Sequence, residues 1–106
     1  MSRSFEVLYS SSAREDLIQL FDFLLDRART AEEFQSAQLA LGVIADTVER
    51  SLSRAPFVYR KAADSPFFRE LLIPFGGTGY VALYEIKDAT HVVVLAVRHQ
   101  LEDDYH

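Results

Sequence analysis

The sequence predicts an α+β domain in which an N-terminal strand leads into an α-helical hairpin and then an antiparallel three-strand meander. Three observations carry that prediction. Apolar residues alternate near the N-terminus, they recur every three or four residues through the next forty or so positions, and from Phe67 onward the period returns to two. Helices that segregate from a run of sequence-adjacent strands pack on one face of a small sheet.

Each element can be justified in order. From Phe5 to Tyr9, Phe5, Val7 and Tyr9 alternate with Glu6 and Leu8, the period of a strand with at least one buried face. Ser12 followed by Glu15 has the capping-box spacing and predicts the start of the first helix. Its apolar stripe is Ala13, Leu17, Leu20, Phe21, Leu24 and Ala28, while Ile18, Phe23 and Leu25 fall outside it. Thr30 and Glu33 repeat the cap, and Phe34, Ala37, Leu41, Ile44, Val48 and Leu52 trace one stripe through a second, longer helix that ends before Pro56. The short link at Arg29 and Thr30 folds the two back as a hairpin. Strands follow over Phe67–Pro74, Tyr80–Ile86 and His91–Arg98, with turns at Gly76, Gly77, Thr78 and Gly79 and at Lys87 to Thr90. Counting back from the second turn pairs Ile86 with His91, Gly79 with Arg98 and Thr78 with His99, and leaves Glu85 as the cross-strand neighbour of Arg69. His99 then continues the parity of Val93, Leu95 and Val97.

Composition bounds the function. The chain has 106 residues, 49% hydrophobic and 25% charged, which fits a single domain over 1–106 with a core of its own. With no cysteine, thiol nucleophiles, cysteine-zinc sites and disulfides are excluded, and a cytoplasmic setting is the expectation. No apolar run reaches the ~18 residues of a membrane span, so no membrane partner is expected. The 11 Lys plus Arg against 16 Asp plus Glu give a net charge of -5, which disfavours nucleic acid except at a local basic patch.

Few residues carry obvious chemistry. The glycine turn and the Arg98-His99 pair share one sheet end, an arrangement suited to an anion, although the glycines also serve a turn by themselves. Arg69 lies mid-strand among apolar residues and needs solvent, a partner or a ligand. His99, Glu102, Asp103 and His106 match no metal-ligand spacing, so no metal and no cofactor are expected. Nucleophile-elbow, zinc-protease and paired-carboxylate signatures are absent. The extra apolar surface at Ile18, Phe23 and Leu25 suits a docking partner.

The motifs Arg69-Glu70-Leu71, Ile73-Pro74-Phe75-Gly76 and Gly79-Tyr80-Val81-Ala82-Leu83-Tyr84-Glu85-Ile86 resemble the RelE/ParE family of type II toxins. The tail, Val97-Arg98-His99-Gln100 followed by Glu102-Asp103-Asp104-Tyr105-His106, is similar to that of its ParE-like, or plasmid-stabilisation, branch. The resemblance spans essentially the whole chain. It implies a growth-inhibiting toxin neutralised by a cognate antitoxin, with Ile18, Phe23 and Leu25 as antitoxin-binding residues and a homo-oligomer compatible with the sequence. Two activities divide the family: inhibition of DNA gyrase, and ribosome-dependent cleavage of mRNA. Valine at 81 stands where a family ribonuclease usually presents arginine, and Gln100 or Leu101 replaces another basic residue. That departure favours a ParE-like gyrase inhibitor, which breaks no bond itself, with Arg69, Arg98 and His99 contacting the target. The alternative is a RelE-like mRNA endoribonuclease using Arg69, His99 and Tyr105. A degenerate member that only binds its antitoxin is the third reading.

Overall fold

The computed structural model describes residues 4–62 and 65–100. Strand β1 (Glu6–Tyr9) is followed by helices α1 (Ser11–Arg27) and α2 (Ala31–Arg54), a short 3-10 turn (Pro56–Val58), and strands β2 (Phe68–Phe75), β3 (Thr78–Ile86) and β4 (His91–His99). The sheet order is β1-β4-β3-β2, with β2, β3 and β4 antiparallel and β1 joined parallel to β4, so the sheet is mixed. This is the α+β architecture the periodicities predict.

Both helices lie on one face of the sheet, α1 chiefly over β4 and α2 over β2. The core between the layers is apolar. Ile44, Val48 and Leu52 of α2 meet Ile73, Tyr84, Val92 and Val94 of the sheet, all 1% exposed or less. Each such aliphatic side chain contributes about 1.5–3 kcal/mol by leaving water. The α2 stripe differs from the expected one at its start: Phe34 is 49% exposed and Ala40 is buried in the core instead. There Ala37 and Ala40 line a cavity of about 180 Å³ with Leu24, Phe75 and Tyr80, so the helix presents small residues where it crosses the sheet end.

The caps are one right and one displaced. Thr30 caps α2 as predicted, its hydroxyl accepting the Glu33 N–H at 3.1 Å while Glu33 accepts the Arg29 N–H at 2.9 Å. For α1 the cap is Ser10, not Ser12: its hydroxyl accepts the Ala13 N–H at 3.1 Å. Ser10 also donates its own N–H to the Val94 carbonyl at 2.9 Å, so strand pairing runs straight into the helix with no intervening loop.

Two turns set the register. Gly76 and Gly77 alone make the β2–β3 turn, with Phe75 opposite Thr78 and only Gly76 at positive φ (+60°). Thr78 and Gly79 already belong to β3, which leaves no wide glycine loop to cradle an anion. At Gly79 the requirement is space, since a Cβ there would sit 2.7 Å from the Ile73 carbonyl oxygen. Pro74 is tolerated because the N–H of Glu70 points away from β3, to the Arg60 carbonyl at 3.0 Å. By alternation Pro74 faces the same outer edge, where no ladder bond is lost.

The β3–β4 pairing corrects the counted register. Lys87 donates its N–H to the His91 carbonyl, so the loop is Asp88 to Thr90 and Ile86 faces Val92. A bulge then leaves Leu95 without a partner between the Tyr84–Val94 and Leu83–Ala96 pairs. Together these two slips place Tyr80 opposite His99 and Val81 opposite Arg98.

Candidate functional site

Arg69 shares the parity of Leu71 and Ile73, so it points to the helix side of the sheet. Its register partner is Tyr84, and Glu85 lies opposite Phe68 on the other face, so the expected Arg69–Glu85 neighbour pair does not form. Instead the guanidinium donates to the Tyr59 carbonyl at 2.6 Å. The same segment is secured by the Arg60–Glu70 ion pair at 2.9 Å, a bridge between Lys61 and Arg69, and the buried Tyr84 hydroxyl donating to the Pro56 carbonyl at 2.6 Å. Burial pushes the Tyr84 phenol up, with the nearby Arg69 charge opposing in part, so it stays a neutral donor. Arg69 therefore fastens residues 59–62 across the free edge of β2.

His99 sits at the other end of the sheet. The bulge at Leu95 switches the parity of β4: Val92, Val94, Val97 and His99 face the helices, and the expected match with Val93 and Leu95 is broken. The imidazole stands edge-on to the Tyr80 ring, 5.4 Å between centroids, with Nε2 3.2 Å from the Thr78 hydroxyl. Where β1 stops at Tyr9, α1 takes over the edge of β4. Ser10 Oγ approaches the Leu95 carbonyl at 3.4 Å, and the Asp16 carboxylate accepts the Val97 N–H at 3.0 Å. Between α1 and this edge runs a groove of about 260 Å³ lined by Asp16, Gln19, Leu20, Phe23, Val97, Arg98 and His99.

Two of the predicted residues, Phe23 and His99, thus meet on the helix side of β4, with Arg98 bordering the groove from the strand edge while its register beside Val81 sets its side chain to the opposite face. Phe23, half exposed with the Arg27 guanidinium 4.6 Å over its ring, shares the groove with His99. Arg69 does not join them. Four residues along β3 and two strands separate its register position from that of His99, roughly 15 Å by ordinary sheet spacings. A single reacting atom cannot touch both side chains on that spacing. Tyr105, with Glu102, Asp103, Asp104 and His106, lies outside the described residues. Among the described residues no group of three His, Cys, Asp or Glu is placed to hold a metal ion.

Ile18 belongs to a different surface. It is 63% exposed and, with Leu17, Phe21, Gln38 and Leu41, lines an almost wholly apolar groove of about 350 Å³ along the outer side of the hairpin. A neighbouring hollow of about 430 Å³, lined by Gln35, Gln38, Leu39 and Gly42, prolongs it along α2. Leu25 is half-buried and lines neither groove. Sequence reasoning missed Leu39 and Phe21 as groove residues and Asp16 as the cap of the β4 edge. Leu39 was legible as an apolar residue off the α2 stripe, whereas the role of Asp16 exists only once β4 is alongside.

The comparisons agree with this geometry. The model described as the ParE toxin of the type II toxin-antitoxin system parDE matches residues 7–104. Toxin RelE3 of Caulobacter vibrioides (strain ATCC 19089 / CIP 103742 / CB 15) is 36% identical over 91 residues, covering 85% of this chain and 88% of that protein. A chain of the chromosomal ParDE TA system from P. aeruginosa superposes with a TM-score of 0.73 over 92% of this chain and 98% of that one; at 16% identity the likeness is one of fold. A family match over nearly the whole length, a relative at this identity and the strand-hairpin-meander topology converge: the chain belongs to the RelE/ParE family of type II toxin-antitoxin toxins.

Proposed function

We propose that this toxin arrests growth in the cytoplasm by binding DNA gyrase, breaking no bond itself, and that a cognate antitoxin silences it by seating an amphipathic segment in the apolar hairpin groove around Ile18. The observation that supports gyrase over mRNA is Val81. It stands on the open face of the sheet, 6% exposed, at the position where a family ribonuclease usually presents arginine. Arg69 adds to this reading, since its guanidinium is committed to the Tyr59 carbonyl and lies far from His99. Cleavage of RNA needs cationic and proton-transferring groups gathered within reach of one phosphate.

A supercoiling and cleavage-complex assay with toxin released from its antitoxin tests the reading. Inhibition with accumulation of cut DNA is expected; an unaffected gyrase beside a folded, growth-arresting toxin overturns it. The second reading, ribosome-dependent mRNA cleavage, draws on the 36% identity to a protein named Toxin RelE3. Its test is primer extension on translated mRNA, with loss of cleavage in Arg98→Ala and His99→Ala.

A further inference from the structure

The face of the sheet away from the helices carries a second, smaller hollow. Cross-strand register lays two rows over it: Glu70, Leu83 and Ala96 in one, Leu72, Val81 and Arg98 in the next. At the short Ala96 side chain the surface dips into a hollow of about 140 Å³ lined by Glu70, Val81, Leu83, Ala96 and Arg98. The floor is aliphatic, and the two charges at its rim are not equivalent. Glu70 is neutralised by Arg60 at 2.9 Å. Arg98 is exposed, and among the described residues its side chain makes no ion pair or hydrogen bond. Among the described residues the hollow is therefore apolar with one uncompensated positive charge, that of Arg98.

We infer that this hollow seats the toxin's protein target, taking a segment in which an apolar side chain lies next to a carboxylate. The apolar group covers Val81, Leu83 and Ala96, and the carboxylate pairs with the Arg98 guanidinium. The inference rests on the toxin reading above, though not on gyrase in particular. Nucleic acid fits this face poorly: phosphates call for several cations, Glu70 and Glu85 share the surface, and the floor offers no aromatic ring for a base to stack on. The antitoxin groove around Ile18 is on the opposite side of the molecule, beyond the helices, so the charge-matched occupant of the sheet face is the target.

The test expresses wild type, Arg98→Glu, Arg98→Lys and Ala96→Trp without antitoxin, and measures antitoxin affinity and thermal melting of each purified protein. Arg98→Glu and Ala96→Trp are expected to raise the inducer level needed for growth arrest at least tenfold, and Arg98→Lys by less. Antitoxin affinity should stay within threefold of wild type. Unchanged arrest by Arg98→Glu and Ala96→Trp overturns the inference, as does loss of antitoxin affinity in step with arrest. Ribosome-dependent mRNA cleavage by the wild type that disappears in Arg98→Glu overturns it in favour of RNA. A wild type that arrests nothing has no target and removes the inference while leaving the antitoxin groove intact. If arrest occurs with gyrase unaffected, the gyrase reading fails and the variants still decide the surface.

Discussion

Tyr84 joins two parts of the chain that sequence distance keeps apart. Its ring is fully buried and its hydroxyl donates to the Pro56 carbonyl at 2.6 Å, so the turn after α2 is tied to the middle of the sheet. Tyr84→Phe keeps the packing and strands a buried carbonyl, with an expected loss of about 1–3 kcal/mol read as a lower urea midpoint at unchanged slope. Asp88 behaves differently because it is exposed. The Thr90 N–H at 2.9 Å, helped by His91, holds its carboxyl down to about 2. A carboxyl lowered in the folded state stabilises the protein above its unfolded value near 4, and that contribution fades as pH falls toward 2. Wild type should therefore exceed Asp88→Asn in midpoint denaturant at pH 6, with the gap closing between pH 4 and 2. A gap that does not change over that window would contradict the assignment.

Among the elements, β4 is the one on which neighbours converge. Its lower half pairs with β1, and beyond Tyr9 the side chains of Ser10 and Asp16 serve the edge that β1 no longer covers. Asp16→Ala is expected to cost about 1–3 kcal/mol and to speed hydrogen exchange at the Val97 amide selectively, a site-specific readout that general destabilisation does not mimic. The β2–β3 hairpin makes a similar demand through shape alone. A methyl at Gly79 would press on the Ile73 carbonyl at 2.7 Å and on the Gln100 side chain at 2.9 Å, whereas one at Gly77 meets nothing within 4 Å. Thermal melting should show Gly79→Ala well below wild type and Gly77→Ala close to it.

At the scale of the whole molecule, two layers give two outer surfaces with different chemistry. The hairpin side is a broad apolar groove, and the sheet side is a small aliphatic hollow whose Arg98 guanidinium has no partner among the described residues. Ile18→Glu places a charge in the first without touching the core. Calorimetry with the cognate antitoxin should show at least tenfold weaker binding, while the variant's own melting temperature stays near wild type. Equal affinity would move the antitoxin off this groove.

The fold class, the Thr30 cap and both helix spans were legible in the sequence because each depends on near neighbours: a period of two or of 3.6, or a side chain three residues from its cap. So was Ile18 as a surplus apolar residue, since a stripe leaves its outsiders visible. Whatever depended on one strand meeting another was not legible. The unpaired Leu95 reverses the face of everything after it, which is why His99 turned toward the helices and why Arg98 stands opposite Val81. Arg69 looked like half of an ion pair on the sheet, and only the return of residues 59–62 along β2 supplied the carbonyl that occupies it. Local sequence sets which element forms, but a one-residue slip between strands costs little locally and moves every side chain to the other face, so the positions of the functional residues were decided by tertiary pairing.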